Sequence, residues 1–374
     1  MKLYFYEDED RFVNNSHLTG KTFFSLVHNS NEADFLFVPQ QSTDKFFNDT
    51  IDNKANKKIV YFNLTEPISF NSAKWFLERC IQFGIDSKDV LFHCTNHYLD
   101  NFNCIGKGLS IVDHIVKSQL DDGIGLSEKF LKFTFINNTV RRPRALVLDE
   151  LLSRNLFLNQ TYTTCNTDKW YGNKNILKYP HISKWFEQLK SADYLDVQMS
   201  IPYKNDKDFQ LVFKTAFFNF VIETFSEFSV DNGGFNSHLT EKTIRNFIYK
   251  TPFLLLTSSE QQINVIKSLG FETYNHIFDF KIDTKDINGT IKKYVDIMES
   301  FSNVSTNEIR RFCETSEVSD IVDKNYNRIK YYMNLDIENI YRYILNDEYQ
   351  NMNETLLSIS EPNNNRDFSI LSNI

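Results

Sequence analysis

Apolar and polar positions along the chain fall into short strand-like runs separated by helical patterns. KLYFYE, at the start, alternates with the two-residue period of a strand. ADFLFVP (33–39) and KKIVYFNLTEP (57–67) predict a second and a third strand, the latter apolar and β-branched at its centre. NSAKWFLERCIQFG sets Trp75, Phe76, Arg79 and Cys80 at helical spacing, and Gly84 closes that helix. DVLFHCTN (89–96) predicts the next strand. Strands alternating with helices predict a sheet with parallel members. The stretch Ser118–Glu128, with Asp121, Asp122, Gly123 and Gly125, predicts a linker.

The pattern then begins again. KFLKFTFIN (129–137) predicts a strand, NTVRRP a loop, and RALVLDELLSRNL a helix with Leu148, Leu151 and Leu152 inward and Pro143 near its first turn. Phe217–Phe225 predicts another strand. A helix from Glu241 places Ile244, Phe247 and Ile248 at i, i+3 and i+4, and TPFLLL follows as a strand. EQQINVIKSLG predicts a helix, FETYN a short strand, and the chain from Ile291 to about Ile344 reads mostly helical. The expected fold is therefore α/β, with two Rossmann-like lobes and C-terminal helices. The boundaries read as 1–126 for the first domain, 127–345 for the second with its helices, and 346–374 for a polar tail.

Composition supports two cores: 374 residues, 41% hydrophobic and 15% aromatic, with 35 Phe. A net charge of −8 excludes a global basic field that would draw the chain onto nucleic acid or anionic membrane. Five cysteines, odd in number and without a CxxC, argue against a disulfide framework and for a reducing compartment. His93, Cys94, His97 and Cys104 have the elements of a metal site, but His93 and Cys94 end a strand, and ordinary strand-end residues are the preferred reading. No signal-peptide core opens the chain and no run of about 18 apolar residues occurs, so a cytoplasmic protein is expected.

Chemistry concentrates where predicted strands end. Glu223 lies inside the apolar run FVIETF, where a carboxylate is costly unless it is paired or at a strand end. Thr240-Glu241-Lys242 opens a helix. Helix electrostatics favour an acid there, so Glu241 needs no further reason, whereas Lys242 makes sense if an anion sits before it. An ordinary solvent-facing lysine is the competing reading. Arg144 begins another helix after a polar turn, and a guanidinium suits a diphosphate because it bonds two oxygens at once. Arg141 and Arg142 are close alternatives. Glu66 follows an apolar strand and precedes Pro67, at a strand's carboxyl end or simply in an exposed loop.

These residues also match a family pattern. Ile222-Glu223-Thr224, Thr240-Glu241-Lys242, Arg245-Asn246 and Pro252-Phe253-Leu254-Leu255-Leu256 resemble, in order, the motifs of the α1,3-fucosyltransferases and related phage and bacterial glycosyltransferases. FTFINNTVRRPRALVLDEL is similar to the family's strand, turn with Asn138, and Arg-led helix. VYFNLTEP resembles its strand leading to the catalytic Glu. The resemblance implies a GT-B architecture, an inverting sugar transfer and no obligatory metal or other cofactor. It implies Glu66 as general base and Arg144 and Lys242 on the donor phosphates. Glu223 and Glu241 would then bind the ribose and the sugar, with Asn138, Thr240 and Arg245 beside them. The partners implied are a GDP- or UDP-linked sugar and a hydroxyl acceptor, either a glycan or, as for some viral relatives, a hydroxylated base of DNA.

Departures fall where sugar and base would be read. Pro67 follows Glu66 directly, Thr224 stands where the family has Asn, the segment from Glu223 to Glu241 is longer, and that from Lys242 to Pro252 is shorter. A non-catalytic nucleotide-binding protein on the same fold is the competing reading. Retention of both Lys242 and Glu66 weighs against it.

Overall fold

The computed structural model describes residues 1–7, 9–14, 16–49, 56–63, 68, 70–93, 105, 111–113, 126–137, 141–154, 156, 161–165, 178–184, 215–223 and 240–346. The fold is α/β, with two compact units that divide at Gln119/Leu120 and again at Ile329/Lys330.

The first unit is built on strands β1 (Lys2–Phe5), β2 (Ser25–Leu26), β3 (Phe35–Pro39), β4 (Lys58–Phe62) and β5 (Val90–His93), in the order β2-β1-β3-β4-β5. Every pairing is parallel. β3, β4 and β5 are buried at every position, which is why they read as continuous apolar runs rather than alternating ones. Helices α1 (Glu9–Asn14), α2 (Thr43–Asn48) and α3 (Phe70–Gln82) belong to this unit. α3 turns Phe76 and Cys80 into the core, where Phe76 stacks on Tyr61 with ring centres 4.0 Å apart, and leaves Trp75 outside. Pro39, Phe62 and His93 are register partners, so β3, β4 and β5 end together at one edge of the sheet.

The second unit holds β6 (Leu131–Asn137), β7 (Thr161–Cys165), β8 (Ala216–Ile222) and β9 (Phe253–Leu256), ordered β7-β6-β8-β9 and again all parallel. The helices α4 (Arg142–Ser153), α5 (Glu241–Ile248), α6 (Glu260–Ser268), α7 (Ile287–Asn303), α8 (Thr306–Cys313) and most of α9 (Ser316–Met333) surround it. β8 is buried throughout, and its one mid-strand polar residue is fully used. Asn219 accepts from the Thr134 hydroxyl of β6 and donates to Asn246 of α5, which in turn donates to the Lys242 carbonyl at 2.6 Å. This buried chain ties two strands to the start of α5.

The structure differs from the sequence reading in the first boundary, which falls at 119/120 rather than 126/127, in the strand read as Phe217–Phe225, which ends at Ile222, and in two further elements. FETYN forms no strand. Instead the Asn275 side chain donates to the Leu255 carbonyl at 2.8 Å and accepts from its amide at 3.2 Å. One amide side chain thus replaces a further strand along β9. The other is α10 (Ile337–Leu345), the last helix among the described residues, which the sequence reading placed with the second domain. The chain from Lys330 groups with the first unit, because Tyr341 of α10 packs edge-on against Phe35 of β3 at 5.0 Å. Among the described residues, no helix is long and apolar enough to cross a membrane.

Candidate functional site

The carboxyl end of β8 gathers most of the describable residues singled out in the sequence. Glu223 follows β8 directly and its amide donates to the Leu256 carbonyl of β9 at 3.1 Å, extending the ladder by one step. Its carboxylate is buried, 2% exposed, and turned toward the start of α5. One oxygen accepts from the Thr240 amide at 3.1 Å and from the Thr243 hydroxyl, and the other accepts from the Thr240 hydroxyl. Three donors and the positive end of a helix offset the cost of burying this charge.

Thr240 is the N-cap of α5 in extended backbone conformation, and its hydroxyl oxygen also accepts from the Lys242 amide at 3.3 Å. The Lys242 ammonium lies 3.4 Å from the same hydroxyl, so it is held at the helix start rather than swung along the helix flank. Lys242 is partly buried. Glu241 is the first helical residue. Arg245 occupies the last turn of α5, where a cation is favoured by the helix dipole without any ligand.

Arg144 reaches the same place from α4. Pro143 sits at the head of that helix, with no side-chain cap on Arg141, and Arg144 follows in the first turn. Its guanidinium is 3% exposed and donates to the Ile222 carbonyl, the last of β8, at 3.4 Å. A buried guanidinium in the first turn of α4 thus reaches the last carbonyl of β8, and an ammonium in the first turn of α5 is held at the Thr240 cap, which binds the Glu223 that follows β8. Neither helix favours a cation there by itself.

Of the residues proposed from the sequence, Arg144, Glu223, Thr240 and Lys242 are brought together, and Arg245 lies one turn further along α5. Glu66 and Asn138 lie outside the described residues, as do Cys94, His97 and Cys104. His93 ends β5 and is treated below. Thr243 and Asn219 were not singled out, and Asn246 only within the Arg245-Asn246 motif, although they fix Glu223 and the α5 terminus. Asn219, a lone amide inside AFFNFVI, carried the same warning as Glu223: a polar group in an apolar strand needs a partner. Thr243 carried no such signal.

No protein-family model matches the chain, and no curated protein sequence matches it. Among solved structures, an α1,3-fucosyltransferase with GDP is similar over 93% of this chain and 91% of its own, at 13% identity and a TM-score of 0.43. The DNA-modifying β-glucosyltransferase, studied with and without uridine diphosphoglucose, is similar over 92% and 100%, at 11% identity and 0.42. An α,α-trehalose 6-phosphate synthase from Burkholderia multivorans follows over 87% and 72%, at 9% and 0.35. Likeness at this level carries no argument about activity.

Proposed function

We propose that this chain is a glycosyltransferase that moves a sugar from a nucleotide-sugar donor to a hydroxyl acceptor. One observation carries the reading: Arg144, in the first turn of α4, reaches the last carbonyl of β8, and Lys242, in the first turn of α5, is held at the Thr240 cap that binds Glu223, the residue after β8 in a parallel sheet. Open parallel sheets bind ligands at that end, and two cations on helix N-termini suit a diphosphate. The departing diphosphate gains negative charge as the glycosidic bond breaks, so fixed cations stabilise the transition state more than the ground state.

In this reading the reaction is inverting and needs no catalytic metal, the donor is GDP- or UDP-linked, and Glu66 takes the acceptor hydroxyl's proton. Those assignments rest on the sequence resemblance. Glu223 is a positioning residue, because both of its oxygens already hold Thr240 and Thr243.

Turnover separates these roles. Glu66→Gln should retain nucleotide binding and lose at least about 100-fold in kcat, the usual contribution of a general base. Wild-type turnover by Glu66→Gln would remove Glu66 from the mechanism. Slow hydrolysis of a nucleotide sugar to free sugar by the wild type distinguishes a transferase from a nucleotide-binding protein without activity. Binding to duplex DNA that weakens steeply with salt would favour a DNA acceptor over a glycan.

A further inference from the structure

Three metal-ligating side chains from separate segments of the first unit converge in its interior. His17 follows α1, His93 is the last residue of β5, and Asp113 lies in helical backbone with residues 111 and 112. They are 1%, 3% and 3% exposed, and their ligating atoms all lie within 4.8 Å of one another. One carboxylate oxygen of Asp113 is 2.9 Å from His17 Nδ1 and also accepts from the His17 amide. The other oxygen is 2.9 Å from His93 Nε2.

That second contact is short but has no hydrogen-bond alignment. His93 Nε2 and Asp113 Oδ2 are therefore both buried polar atoms without a hydrogen-bond partner among the described residues. Buried polar atoms normally have a partner, and these two face each other at 2.9 Å. A shared third body that takes a lone pair from each would satisfy both.

We propose that His17 Nδ1, His93 Nε2 and the Asp113 carboxylate form a binding site for a divalent transition-metal ion of the Zn²⁺ class. Two imidazoles and a carboxylate are borderline donors that suit Zn²⁺ and exclude the hard, oxygen-seeking Mg²⁺ and Ca²⁺. With metal–ligand bonds of about 2.0–2.1 Å, tetrahedral ligand atoms stand about 3.3 Å apart, so the two 2.9 Å nitrogen–oxygen contacts open slightly while the set, within 4.8 Å here, draws in around the ion.

The surroundings fit as well. His17 Nε2 lies 2.7 Å from the Tyr341 hydroxyl, so with Nδ1 on the metal the other ring nitrogen donates to Tyr341 and holds the imidazole in place. The two imidazoles lie nearly parallel, ring centres 5.4 Å apart, with Phe12 edge-on to both. The metal would join the loop after α1 and the end of β5 and, through Tyr341, the terminal helix α10. Its role is to stabilise the first unit, separate from the donor phosphates at β8.

The test uses the full-length, untagged protein, stripped with a chelator and dialysed, then titrated with Zn²⁺ and separately with Co²⁺. Zn²⁺ should bind with one equivalent per chain, micromolar or tighter, and raise the melting temperature. Co²⁺ should give visible absorption of a four-coordinate site. Millimolar Mg²⁺ should neither compete nor stabilise. His93→Gln and Asp113→Asn should abolish the Zn²⁺-dependent shift. Tyr341→Phe should weaken binding by about 10-fold, the usual effect of losing an outer-shell partner. Either variant serves if the other fails to fold, as judged by circular dichroism without metal. Less than about 0.1 equivalent of Zn²⁺ on the wild type, or equal binding by a folded His93→Gln, would overturn the proposal. The cluster would then be a hydrogen-bond network held by protons alone.

Discussion

A carboxylate inside an apolar strand must be matched by donors, and Glu223 is matched by three, two of them from Thr240 and one from Thr243. Hydrogen bonds to a charged group contribute about 1.5–3 kcal/mol each, so Thr243→Val should destabilise the protein by that order. Chemical denaturation would measure it, and an unchanged midpoint would mean that Glu223 is held adequately by Thr240. The sequence made Glu223 visible through its cost and Thr240 through its place before a helix. It did not show that the two satisfy each other, since 17 residues separate them. The same holds for Thr134 and Asn219, 85 residues apart. Arg144 was legible as a cation at a helix start. Its burial against the β8 terminus was not, because that depends on how α4 packs.

At the level of elements, a continuous apolar run was a reliable sign of a parallel strand covered on both faces, and β3, β4, β8 and β9 were all found that way. FETYN misled because its apolar and polar residues alternate, while Asn275 had a different use for its amide at β9. Just before it, Gly270 ends α6 with φ of 83°, and Arg328 closes over it by donating to the Leu269 carbonyl at 2.8 Å. A methyl carbon added at Gly270 would come within 2.5 Å of Arg328 Nε. Gly270→Ala therefore carries a left-handed backbone cost of about 1–2 kcal/mol plus the displacement of that guanidinium. A lowered melting temperature is the expected result. An unchanged one would show that Arg328 yields freely and that the turn is not strained.

On the scale of the whole molecule, two α/β units were legible from the repeated strand–helix pattern. The return of α10 to the first unit was not, because an amphipathic helix does not reveal which sheet it covers. Stability also has a whole-molecule pH dependence that one buried group makes testable. Lys129 donates to the Ala216 carbonyl at 2.9 Å and to the Thr251 hydroxyl at 3.2 Å, and burial pushes its ammonium down to about 8. An unfolded lysine titrates near 10.4, so between about pH 8 and 10 the unfolded chain holds a proton that the folded chain has released. Stability from this group therefore rises with pH across that window, with a slope of at most about 1.4 kcal/mol per pH unit. Buried tyrosines such as Tyr294, held well above their ordinary range, pull the other way only above about pH 10. Denaturation of wild type and Lys129→Met at pH 7.5 and 9.5 isolates the effect. The wild type should gain relative to the variant at the higher pH, and parallel curves would contradict the assignment.

The proposed transfer requires a donor diphosphate between Arg144 and Lys242 at the end of β8. Isothermal titration calorimetry of GDP, UDP and their sugar conjugates against wild type and Lys242→Ala tests it most directly. Lys242 is only partly buried, so the variant should fold, and Arg144, which is nearly fully buried, is the poorer choice. The predicted result is binding of one nucleoside diphosphate by the wild type, weakened about 10-fold or more in Lys242→Ala as one charge-assisted contact is lost. Equal binding by the two proteins, or no binding of any nucleoside diphosphate to the wild type, would contradict it.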